Sequence, residues 1–141
     1  MSIGSAVAIA ATFLWLGMVT AISFMEAPLK FRAPNATIPI CLGIGRLVFR
    51  ALNAAELILA VAIAATFATE RPTPAIVMTF AVAVAMLLAQ LVVVRPRLSR
   101  RADQVLSGLD APRSRAHYAY VGLELIKVAA LAPLGILLLA R

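Results

Sequence analysis

The chain holds one cysteine, one histidine, one tryptophan and only six acidic residues among 141 positions. Each scarcity removes a class of function. A lone Cys41 cannot close an internal disulfide, and no second thiol is there for a paired-cysteine redox or zinc motif. A lone His117 is poor provision for haem or copper, because metal sites in four-helix proteins draw on several His and Glu donors, typically with Glu-x-x-His spacing. No metal and no cofactor is therefore expected. There is no Ser/His/Asp arrangement and no phosphate-binding loop, and "LGIGRL" from Leu42 is too short for a dinucleotide fingerprint. An enzyme is the less favoured reading.

Charge is scarce as well. Only 13% of residues are charged while 63% are hydrophobic, a balance foreign to water-soluble domains of this size. No charge occurs from Met1 to Met25, from Leu57 to Thr69, or from Pro72 to Val94, and Lys127 stands alone between Glu124 and Arg141. About 20 apolar residues, each rising roughly 1.5 Å, cross a bilayer core. These runs predict an all-α bundle of four transmembrane helices, at about 3–27, 43–69, 73–95 and 113–139, forming one integral membrane domain over 1–141. The first run has no Lys or Arg and is too long for a secretory signal, so it is expected to be a helix of the mature protein.

The net charge of +7 does not point to nucleic acid once the positions are considered. Lys30, Arg32, Arg46 and Arg50 flank the first connection, and six arginines from Arg95 to Arg115 flank the third. The second connection has Arg71 alone. Basic loops face the cytoplasm. The expectation is a bacterial inner-membrane protein with both long loops cytoplasmic and both termini outside. The lipid bilayer is then the first partner, and a chain this short is expected to form a homo-oligomer or join a larger membrane complex.

Laying the second half on the first at an offset of 68 residues needs no gap. Met18 falls on Met86, Pro28 on Pro96, Arg32 on Arg100, and "ELI" at 56–58 on "ELI" at 124–126. That suggests two similar hairpins in parallel repeat about an axis along the membrane normal. Pro28 and Pro96 follow the last apolar turn of their helices and are expected to end them. Pro112 suits a first-turn position behind an Asp110 cap. Pro133 lies inside the fourth helix and is expected to kink it.

The remaining polar residues form stripes. Arg46, Arg50, Asn53 and Glu56 are spaced i, i+4, i+7, i+10, while His117, Tyr120, Glu124 and Lys127 are spaced i, i+3, i+7, i+10. Each set shares one helical face. Counting from the basic ends, Glu56 and Glu124 lie roughly 15–18 Å deep, near the bilayer centre. A charge there costs roughly 2.5–3.5 kcal/mol on the insertion scale, so both must point inward. Gln90 and Glu26 lie closer to the basic side. Of the two neighbouring tyrosines, Tyr120 is expected inside and Tyr118 outside, and Trp15 is either an interface anchor or a core aromatic. The expected object is a polar seam open to the cytoplasm and closed halfway across. In it Glu56 pairs with Lys127, and Glu124 with Arg50 or Arg46.

As a set, "SFMEAPLKFRAP", "GRLVFRALNAAEL" and "SRAHYAYVGLELIKV" resemble a group of uncharacterised bacterial four-helix membrane proteins. The likeness rests on Ser23, Phe24, Pro28, Lys30 and Phe31; on Gly45, Arg46, Asn53 and Glu56; and on Ser114, His117, Tyr120, Glu124 and Lys127. The chain departs from the pattern at Arg50 and Ala51, where less charge is usual. The resemblance implies a four-helix membrane fold and no defined activity.

Several roles fit these residues. The seam can be a structural network fixing helix register. It can bind a lipid or small polar ligand, with Arg46, Arg50 and His117 as anion contacts, or serve an accessory subunit. It can belong to a small proton-coupled transporter using Glu56 and Glu124. A lipid-modifying enzyme using His117 and Glu124 comes third.

Overall fold

A computed structural model describes residues 1–108 and 115–141. Four long helices run at Ile3–Lys30, Ile38–Thr66, Pro74–Leu106 and Arg115–Ala140, and no strand occurs among the described residues. All four are long and apolar enough to cross a membrane, which makes this a small multi-pass membrane protein. Side chains facing outward agree: Leu14, Ile58, Val61, Met78, Val92 and Ile136 are all exposed. Such a surface suits lipid and would aggregate in water.

Short polar caps start the helices. Ser2, Thr37 and Thr73 each accept a hydrogen bond at their hydroxyl from the amide three residues on, at 3.0, 3.4 and 3.3 Å. Pro39 and Pro74 lie in the first turns that follow, where no amide hydrogen is needed. Asn35 and Gly108 take positive φ, at 65° and 84°, in the connections after the first and third helices.

Pro28 and Pro96 do not end their helices. Instead the backbone widens into a π-helical segment just before each, at Thr20–Glu26 and Gln90–Val94, then resumes α geometry at Ala27–Lys30 and Arg95–Leu106. A proline ring clashes with the carbonyl four residues back and supplies no amide to it. A wide turn moves that carbonyl away, so the helix passes through. The third helix thus extends well beyond the boundary its apolar run suggests, as the amphipathic stretch "RPRLSRRADQVL". The fourth helix is continuous through Pro133. Pro112, Asp110 and Ser114 lie outside the described residues.

The first helix packs against the second and the fourth, and the fourth against the third. The second and third meet mainly through the basic extension of the third. Ala8, Ala11, Trp15 and Val19 recur every three or four residues on the buried face of the first helix. Their mostly small side chains let backbones approach. The closest fit is Phe13 on Gly135, where a Cβ would lie 2.6 Å from the ring. Ile63, Ile76, Ala83, Leu87, Leu131, Leu134 and Leu138 complete an apolar plug that fills the half of the bundle away from the basic end.

Candidate functional site: a buried charge network over a basic cavity

Beneath the plug all four helices contribute polar side chains to one network. Lys127, from the fourth, donates to Glu56 Oε2 at 2.6 Å and to Gln90 Oε1 at 2.6 Å, and lies 2.5 Å from Glu124 Oε1. Gln90, from the third, donates through Nε2 to Glu124 Oε1 at 2.6 Å. Trp15, from the first, donates its indole hydrogen to Glu56 Oε2 at 2.9 Å. Ser23 donates to Glu124 Oε2. Lys127, Glu56 and Gln90 are fully buried, and Glu124 is 1% exposed.

Local structure explains how these groups meet. Glu124 and Lys127 are one turn apart on the same helix, the spacing of an intrahelical ion pair. Ser23 and Gln90 both lie within the π segments, so each wide turn delivers one hydrogen-bonding side chain to Glu124. Proline tolerance and site construction are the same local event.

A cavity of about 170 Å³ lies on the basic side of this network. Glu124 and Ser23 form its deep end, and Phe31, 45% exposed, its outer rim. Lys30, Arg46 and Arg95 line it along with Phe24, Phe49 and Tyr120. Lys30 Nζ at 5.8 Å and the Arg95 guanidinium at 5.9 Å both approach the Phe49 ring, which meets Tyr120 edge-on at 5.4 Å. These are cation–π and T-shaped distances. Lys30 also fills the space over Gly45, where a Cβ would approach its ammonium to 2.7 Å. Tyr120 is 6% exposed, yet its hydroxyl has no partner among the described residues.

The nine residues singled out by spacing divide. Glu56, Gln90, Glu124 and Lys127 form the network. Tyr120 joins the cavity, while Tyr118 is 65% exposed. Asn53 is buried one turn from Glu56, and its Oδ1 has no partner among the described residues. Arg46 and Arg50 do not pair with Glu124 as expected. Arg46 instead bonds Asp103 Oδ1 at 2.6 Å and the Ser99 carbonyl at 3.2 Å, both on the extension of the third helix. Arg50 is exposed. That extension is what captures Arg46. His117 belongs to the opening turn of the fourth helix, but its side chain lies outside the described part of the structure.

Trp15 and Ser23 are site residues that spacing missed. The only tryptophan sits in an otherwise aliphatic run, and its indole N–H needs an acceptor when buried; that was the available signal. Cys41 is buried against the cavity and its thiol donates to the Lys30 carbonyl at 3.5 Å.

Compared with family models, with curated proteins and with solved structures, the chain matches none.

Proposed function

We propose that this is a membrane ligand-binding protein whose cavity takes a small anionic group, either a lipid headgroup or a free polar anion, from the basic side. The Tyr120 hydroxyl carries the reading. A buried hydroxyl without a partner is costly, roughly 1–3 kcal/mol, and a ligand atom in the cavity would satisfy it. Arg95 supplies positive charge to the same space, Lys30 and Arg46 add charge partly offset by Glu26 at 3.7 Å and Asp103 at 2.6 Å, and the phenylalanine rings give it apolar walls. A cavity of this size holds a group of about benzene dimensions. The ligand is thus a small headgroup or molecule, with any acyl chains left outside.

The charge distribution supports cytoplasmic basic loops, and bacterial inner-membrane placement in that orientation belongs to the same proposal. So does the likeness to uncharacterised bacterial four-helix membrane proteins, whose motif residues Ser23, Lys30, Gly45, Tyr120 and Glu124 all line this cavity. The enzyme reading gains little, because Glu124 is already bonded by Lys127, Gln90 and Ser23 and offers no free base.

Native mass spectrometry of protein extracted gently from its own membrane tests the proposal. The expected result is a retained lipid or small-molecule mass that is lost in Tyr120→Phe. A larger complex or oligomer carrying no such mass would replace it with an accessory-subunit role.

A further inference from the structure

The network contains two carboxyl groups and one ammonium, Glu56, Glu124 and Lys127, all at most 1% exposed. With every group ionised it would hold an uncompensated negative charge in the dry middle of a membrane protein, a state that membrane interiors disfavour. The hydrogen bonds show where neutralisation can occur. Both Glu124 oxygens already accept from donors: Oε1 from Gln90 and Lys127, Oε2 from Ser23. On Glu56, Oε2 accepts from Trp15 and Lys127, while Oε1 is buried and has no partner among the described residues. One turn back on the same helix, Asn53 Oδ1 is a second buried acceptor with no donor. These two orphaned acceptors lie one turn apart on the same helix face, where one added hydrogen could serve both.

We propose that Glu56 carries a proton on Oε1, shared toward Asn53, and that this proton exchanges with the basic face through the groove between the second and third helices. Asn53 lines that groove together with exposed Arg50, and with Leu57, Leu91, Arg95 and Ser99. The apolar plug blocks the opposite route. Glu56 is faced by Trp15 from the first helix and by Lys127 from the fourth, with Glu124 behind Lys127. From the third, Gln90 is neutral and Arg95 is turned to the Arg46 carbonyl at 2.9 Å. Lys127 is thereby the sole full positive charge in contact with either buried carboxyl among the described residues.

The network then has two separate approaches, the cavity to Glu124 and the groove to Asn53, one turn from Glu56. Loss of the Glu56 proton would draw Lys127 toward Glu56 and leave Glu124 more negative at the cavity's deep end. Anion binding in the cavity would thus favour proton uptake, the linkage a proton-coupled transporter needs.

Infrared difference spectroscopy of the ligand-free protein in lipid nanodiscs, in water and then deuterium oxide, provides the test. The wild type should show the carbonyl stretch of a neutral buried carboxylic acid near neutral pH, and Glu56→Gln should lose it. Asn53→Leu should shift that band and slow its deuterium shift, whereas Ser23→Ala, which touches only Glu124, should leave it in place. Absence of the band in the wild type overturns the proposal, as does its persistence in Glu56→Gln. A band moved by Ser23→Ala and not by Asn53→Leu would put the proton on Glu124 and overturn it equally. If Glu56→Gln does not fold, the Asn53 and Ser23 variants decide. No ligand is present, so failure here leaves cavity binding untouched.

Discussion

Replacing Lys127 with methionine separates two accounts of what holds the bundle together. Lys127 makes three polar contacts, at 2.6, 2.6 and 2.5 Å. If these act as ordinary interhelical hydrogen bonds at about 0.6 kcal/mol each, their loss costs about 2 kcal/mol at any pH. If instead Lys127 neutralises buried charge, the variant must hold a carboxylate without its partner, a loss of about 3–5 kcal/mol. Binding one further proton gives an escape. Taking a carboxyl with an ordinary pKa of about 4.3, protonation at pH 7 costs about 3.7 kcal/mol, and at pH 5 about 1 kcal/mol. The folded variant holds one proton more than the folded wild type, so its relative stability falls as pH rises, by about 1.4 kcal/mol per unit. Reversible unfolding in mixed detergent micelles at pH 5, 6 and 7 measures this directly. The expected gap between wild type and Lys127→Met widens by nearly 3 kcal/mol over that range. Adding Glu124→Gln to the same background should flatten the slope. A pH-independent gap of about 2 kcal/mol would refute the charge argument.

Three other outcomes follow from the same geometry. Tyr120→Phe removes an orphaned buried hydroxyl, so thermal unfolding should show unchanged or higher stability, by up to about 1 kcal/mol, while ligand retention is lost. Trp15→Phe deletes the indole donor to the neutral Glu56 carboxyl and should cost about 0.5–1.5 kcal/mol of stability, measured by the same micelle unfolding. Gly135→Ala forces a Cβ into the Phe13 ring and should destabilise by about 1–3 kcal/mol, with Phe13→Leu restoring much of the loss in a double-mutant cycle.

The membrane fold was legible because bilayer thickness leaves long uncharged runs almost no other meaning. Helix faces were legible too: i, i+3, i+4 spacing put Glu56, Glu124 and Lys127 on inward stripes, and the Glu56–Lys127 pair follows from charge economy. The partners of Glu124 were not. They depend on the lateral order of helices and on side chains, Ser23 and Gln90, that project from distorted turns no periodicity rule anticipates. Arg46 went astray for a similar reason. Proline ordinarily ends a helix, so nothing in the spacing carries the third helix on to Ser99 and Asp103, where Arg46 binds.

The two π segments change the phase of the helices that contain them. Each adds residues to a turn, so side chains on either side of it are out of phase, as across a dislocation in a screw thread. The segments close at Glu26 and Val94, and the sequence halves superpose at that same offset, proline on proline. Each helix therefore presents one face above its wide turn and a rotated face below it. At that offset Ser23 falls on Leu91 and Gln90 on Ile22, so the two donors come from different positions of similar turns. Two similar dislocations thereby bring unlike donors to the two oxygens of one carboxylate.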